Sequence, residues 1–275
     1  MTDDGRAPAP AAAVTEDPTR WREVARSGRF DLAFRQRLLA VGEETEADVP
    51  HDAVALRTLG EVQGLLHDKA WTRAERRLEQ IETWPDWIDR EAVTRDVTRL
   101  AASGRILDRR DVDAALEELA AFEGEPPGAF EAERLTQLGT ARILDDEAEA
   151  ARRCFEEALD ADPHHPRAIV NLGNVALEAG EVDRAIELYQ RALEIDDSFS
   201  NAHHNLGVAY RRKGEIGKSV RALRRAQRAD RSRDASAARE DVRGLGQRLS
   251  GRPLRWLLWA LVAGGVVWFL LQRGG

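Results

Sequence analysis

This 275-residue chain is short of the raw material for disulfides, sheets and phosphate loops. It has one cysteine, Cys154, so no intramolecular disulfide framework can form, and that usage fits a reducing compartment. Tyrosine occurs twice. Few stretches alternate apolar and polar residues with period two, which argues against strands. The glycines of NLGNVALEAG (171–180) follow no strand, and neither GxGxxG nor Lys-Ser/Thr accompanies them, so a nucleotide cradle is excluded. No Ser/His/Asp or Cys/His arrangement has local motif support, and the carboxylates are scattered as solvated faces require. The expectation is therefore no enzyme, no catalytic residue and no cofactor.

The histidines include two adjacent pairs, His164-His165 and His203-His204. Metal ligands at that spacing would have to converge across distant parts of the chain, and the only thiol is Cys154. His203 falls on a large inward position and reads as a core or interfacial histidine, so no metal is expected.

What is abundant is Ala, Leu, Glu and Arg, all strong helix formers. Charged residues make up 33% of the chain, with a net charge of −8. That total hides an asymmetry. From Arg211 to Arg255 there are 15 Lys/Arg against 5 Asp/Glu, so the remainder carries −18.

The one long apolar run explains the basic block beside it. Trp256 to Leu271 is 16 apolar or small residues without a charge. At 1.5 Å per residue this makes roughly 24 Å of helix, slightly short of a ~30 Å hydrocarbon core. Snorkelling of Arg255 and Arg273 and local thinning can close the gap. Trp256, Trp259 and Trp268 suit interfacial belts. Residues 254–271 are thus expected to be a single transmembrane tail anchor. More Arg precedes it than follows it, which places residues 1–250 in the cytoplasm, at a bacterial inner membrane given the Ala/Arg/Asp-rich composition. Arg243, Arg248, Arg252 and Arg255 would face anionic lipid headgroups. No aromatic residue interleaves the arginines, so stacking on bases is not offered and nucleic acid is not expected. The N-terminal residues 1–19 lack a signal pattern and read as a disordered tail.

A 34-residue period is the strongest signal. Leu138-Gly139, Leu172-Gly173 and Leu206-Gly207 keep it, as do Ala151, Ala185 and Ser219. So do Phe155, Tyr189 and Leu223, and Ala158, Ala192 and Ala226. With Gly180 between the halves and Pro163 closing the first unit, these residues resemble the tetratricopeptide repeat, a helix-turn-helix unit. The resemblance implies an all-α solenoid with three repeats at 132–165, 166–199 and 200–233, spanning 131–233. Small residues fall where two helices of a hairpin press together, and stacking of hairpins supplies the stability.

Upstream, the pattern decays. Residues 69–85 (Ala74, Leu78, Ile81, Pro85) and 112–127 (Ala115, Leu119, Phe122, Pro127) carry the second-helix spacing, with partner helices near 52–67 and 91–107. The region 20–130 therefore reads as helical, with degenerate hairpins of the same kind. Residues 20–41 read as one amphipathic helix burying Trp21, Val24, Phe34 and Leu38. Residues 234–253 form a basic juxtamembrane linker.

The resemblance also implies a concave groove lined by Thr136, Gln137, Thr140, Arg167, Asn171, Asn174, Asn201, His204, Asn205 and Arg211. Amides at Asn171, Asn174 and Asn205 can both donate to and accept from an extended peptide. A lysine-built carboxylate clamp is not expected, because Thr136, Val170 and His204 stand where it would need basic residues. The functional expectation is a membrane-tethered adaptor that binds a protein or extended peptide. The alternative is a factor for self-assembly or membrane-complex assembly without a peptide ligand, with homo-oligomers as one outcome.

Overall fold

The computed structural model describes residues 20–26, 29–41, 50–122 and 128–249. Every regular element among them is a helix. They run in order as α1 (Arg20–Arg26), α2 (Phe30–Val41), α3 (His51–His67), α4 (Trp71–Leu78), α5 (Arg90–Asp108) and α6 (Val112–Ala120). The series continues as α7 (Gly128–Leu144), α8 (Ala148–Ala161), α9 (Pro166–Glu178), α10 (Val182–Ile195), α11 (Ser200–Arg212) and α12 (Ile216–Leu249). The single helix expected over 20–41 is instead two, α1 and α2.

From α3 onward the helices pair into five hairpins, and each pair is joined by the same turn. One residue takes a left-handed backbone: Lys69 (φ 57), Arg110 (φ 61), Asp146 (φ 59), Gly180 (φ 82) and Gly214 (φ 84). The next amide then donates back to a carbonyl five residues earlier. These bonds are Ala70 to Leu65 at 2.8 Å, Asp111 to Ile106 at 3.3 Å, Glu147 to Arg142 at 2.8 Å, Glu181 to Ala176 at 2.9 Å and Glu215 to Tyr210 at 2.8 Å. This is a Schellman cap, which satisfies carbonyls that the helix end would otherwise leave orphaned.

Within the last three hairpins, glycine sets how closely the helices approach. A Cβ on Gly139 would sit 2.5 Å from Phe155, and one on Gly173 would sit 2.6 Å from Tyr189. One on Gly207 would meet Leu223 at 2.8 Å. The 34-residue columns are therefore contact pairs inside one hairpin. Tyr189 and Phe155 are among the most deeply buried large side chains.

The core is divided. One cluster joins Trp21 and Phe30 of α1–α2 to Leu56, Leu59, Trp71, Val97, Leu100 and Phe130. A second fills the α9–α12 region around Ile169, Tyr189, Phe199 and Leu206. Phe130, at the start of α7, belongs to the first cluster and so ties the upstream hairpins to the repeats. Among the described residues no helix is long and apolar enough to cross a membrane. The span expected at 254–271 lies outside the described residues.

Candidate functional site

The first helices of successive hairpins lie side by side, and their polar residues form a strip along α7, α9 and α11. Thr140 Oγ1 donates to Thr136 O at 2.8 Å and accepts from Asn171 Nδ2 at 3.4 Å. One helix further, Asn174 Oδ1 accepts from both Tyr189 OH and Asn205 Nδ2, each at 2.8 Å. Burial pushes the Tyr189 phenol pKa up, which keeps it a donor. Its hydroxyl fixes the Asn174 amide so that the Nδ2 side is left for another acceptor. Thr140, Asn171 and Asn174 line a cleft of about 430 Å³, with Ile143, Phe155 and Val175 among its apolar wall.

The ten residues expected in the groove do not share one environment. Asn201, His204 and Arg211 are exposed, while Thr140, Asn171, Asn174 and Asn205 are half-buried along the strip. Thr136, Gln137 and Arg167 depart from the expectation: they are sealed inside, at 0%, 0% and 6% exposure. Gln137 Nε2 donates to Leu100 O at 3.0 Å, and Ser103 Oγ donates to Gln137 Oε1 at 2.5 Å. Arg167 reaches Leu66 O at 3.3 Å, more than a hundred residues away in sequence. The upstream hairpins thus cover the α7 end of the concave face with the chain's own backbone. The strip is open to solvent only from Thr140 onward.

Beneath that cover lies a buried charged cluster that the sequence reading passed over. Glu133 Oε1 pairs with Arg167 Nη1 and accepts from Gln137 Nε2 at 2.9 Å. His165 Nε2 lies 3.3 Å from Glu133 Oε2, and the His67 ring meets the His165 ring edge-on with centroids 4.2 Å apart. Burial alone would raise the Glu133 pKa, but Arg167 and the two imidazoles outweigh it and carry it down to about 2. Burial, then the neighbouring His165, holds His67 well below the usual histidine range, so it is neutral. His67, Glu133 and His165 are the described residues whose ligand atoms converge as a metal would need. Their spacing along the chain, 67, 133 and 165, gave no local signal. The other paired histidine, His203, is buried as expected, with Nε2 2.8 Å from Asp197 O.

A family model described as tetratricopeptide repeat matches residues 138–199, and a second with the same description matches 176–241. Residues 138–241 carry tetratricopeptide repeats. No curated protein matches the sequence. Among solved structures, a crystal structure of MamA is 22% identical, with 62% of this chain and 95% of that chain covered and a TM-score of 0.41. The second tetratricopeptide domain of Spaghetti (RPAP3), bound to the HSP90 peptide SRMEEVD, is 18% identical over 35% of this chain and 90% of that chain, with a TM-score of 0.34.

Proposed function

We propose that the chain is a non-catalytic adaptor whose repeat strip binds an extended segment of a partner protein, and that a C-terminal helix over 254–271 holds it at a membrane. The observation that carries the adaptor reading is the amide strip beside the 430 Å³ cleft. Asn171, Asn174 and Asn205 present both donor and acceptor atoms next to apolar surface, the chemistry an extended backbone with apolar side chains needs. The partner lies along Thr140, Asn171, Asn174 and Asn205, and enters from the Asn201, His204 and Arg211 end. Thr136, Gln137 and Arg167 take no part in it.

The tether reading draws on α12. Arg221, Arg224, Arg225, Arg228 and Arg231 are exposed, and none of them has an ion pair among the described residues. By contrast Arg105, Arg134, Arg142, Arg152, Arg184 and Arg212 each pair with a carboxylate. A basic stretch leading towards an apolar run fits an anionic leaflet, to which the arginines nearest that run, Arg243, Arg248, Arg252 and Arg255, would each contribute about 1 kcal/mol. In this reading residues 1–250 lie on the cytoplasmic side of a bacterial inner membrane.

The test is affinity capture of the native partner by the detergent-purified chain, comparing it with an Asn171→Ala/Asn205→Ala variant. The expected result is at least a tenfold weaker complex, from about 1 kcal/mol or more per lost hydrogen bond. A partner kept at full affinity would overturn the strip as the binding surface and favour assembly without a peptide ligand. Removing 254–275 should move the protein from the membrane to the soluble fraction.

A further inference from the structure

Where the end of α3 meets the first turns of α7 and α9, three metal-ligating side chains face one point. His67, Glu133 and His165 come from three different hairpins, and their ligand atoms all lie within 4.8 Å of one another. Glu133 and His165 are sealed, at 1% and 0% side-chain exposure. His67 Nε2, Glu133 Oε2 and His165 Nε2 are all buried without a hydrogen-bond partner. Folded cores ordinarily satisfy such atoms; here the 3.3 Å approach of His165 Nε2 to Glu133 Oε2 is the one contact among the three and His67 Nε2 has none, so the point has room for an occupant that all three would bind.

The spacing and the surroundings fit an ion. Bonds of about 2.0–2.1 Å at tetrahedral angles place neighbouring donors roughly 3.3 Å apart, the separation of His165 Nε2 from Glu133 Oε2. His67 needs only to lean inward. Glu133 Oε1 is already taken by Arg167 and Gln137, which hold the carboxylate in place and leave Oε2 as the single ligating atom. We propose that His67, Glu133 and His165 bind one divalent transition-metal ion of the Zn²⁺ type, which clamps the α3–α4 hairpin onto α7 and α9. Two imidazoles and a carboxylate suit zinc better than calcium or magnesium, which take oxygen donors. Water fills the fourth position. Arg167 adds positive charge beside it and favours loss of a proton from that water to solvent.

One adjustment is needed. His165 Nδ1 accepts the Ala168 amide at 3.2 Å, so the resting neutral ring carries its proton on Nε2. Metal entry shifts that proton to Nδ1, opens the long Ala168 contact, and frees the Nε2 lone pair for the ion.

The experiment uses the full chain, detergent-purified and stripped with a chelator, then titrated with Co²⁺ and competed with Zn²⁺. The expected result is one equivalent of Co²⁺ with the visible absorption of a four-coordinate site, displaced by Zn²⁺. His165→Asn keeps a side-chain acceptor for the Ala168 amide and so spares the helix cap. It should weaken binding by on the order of 100-fold or more, with melting of the stripped protein read alongside to separate loss of the ligand from loss of packing. His67→Gln, at the more open edge of the cluster, should weaken binding equally, and Cys154→Ala should bind as the wild type does. The proposal is overturned if the wild-type chain binds neither ion stoichiometrically, or if both histidine variants bind Co²⁺ as the wild type does.

Discussion

The upstream hairpins and the last three repeats reach the same turn by different means. In the repeats the left-handed residue is glycine twice, at Gly180 and Gly214, and the first helices settle at 13 residues in α9 and α11. Upstream it is Lys69 and Arg110, the first helices are 17 and 19 residues long, and the second helices shrink to 8 and 9. The turn residues then fall 41 and 36 positions apart instead of 34. The Schellman bonds are the same in all five. Hairpin geometry therefore tolerates large changes in length and letter, provided that one backbone residue goes left-handed and the cap closes. What changes is the means of close packing: the repeats use glycine against a large side chain of the same hairpin, whereas Gly104 of α5 packs against Trp71 of the preceding hairpin, at 2.5 Å from a would-be Cβ.

Four sets of substitutions would break or sharpen this contrast. The largest effect is expected from truncating the two buried rings. Tyr189→Ala and Trp71→Ala should each cost about 4 kcal/mol, read by chemical denaturation. If Phe130 and the Arg167–Leu66 contact weld the halves together, both variants lower a single transition. Two separated transitions would show that the halves melt independently. Next, Gly173→Ala should cost about 2 kcal/mol through overpacking against Tyr189. Gly64→Ala, where nothing lies within 4 Å, should instead stabilise by about 0.5–1 kcal/mol. Equal effects at the two sites would show that close approach is not what glycine provides in the repeat.

The third concerns a buried acid of the upstream region. Asp96 is 3% exposed, its Oδ1 has no hydrogen-bond partner, and Arg95 Nε stands 3.6 Å away. Burial pushes its pKa up, and Arg95 only partly opposes this. A raised carboxyl pKa means the folded state binds the proton more tightly than the unfolded state, so Asp96 weakens the fold once pH exceeds the ordinary Asp range. Asp96→Asn should therefore stabilise by about 1 kcal/mol at neutral pH, with the gain fading as pH falls to about 4. Melting scans across that range would read it, and a pH-independent gain would assign the effect to packing. The smallest change is at the turns. Lys69→Gly and Arg110→Gly relieve a left-handed side chain and should each add about 0.5–1 kcal/mol, provided the Schellman caps hold in solution. Gly180→Ala should lose a similar amount.

The legibility of the fold follows from the same difference. Between Gly139 and Leu223 the partners of each contact sit 16 residues apart in one hairpin, so a packing rule becomes a sequence rule. The Lys69 and Arg110 turns could not be read, because lysine and arginine carry no signal for a left-handed backbone; only the cap bonds reveal them. The site was legible in part. Asn171, Asn174 and Asn205 lie on the strip as the repeat pattern implies, whereas Thr136, Gln137 and Arg167 hold the same register but are buried, Gln137 and Arg167 against the upstream hairpins. Register on a helix fixes which face a residue occupies. It does not say what is packed against that face.

The sequence by itself thus determined the helical hairpin, its 34-residue repetition and the amide strip, because each depends on spacings of at most a few turns of helix. Only the tertiary structure decided that Leu66 meets Arg167 and that His67, Glu133 and His165 share one buried point. Those contacts depend on how hairpins of unequal length wind on one another. One residue more or less within a helix would rotate the face it presents by roughly 100°, so no local pattern could have announced them.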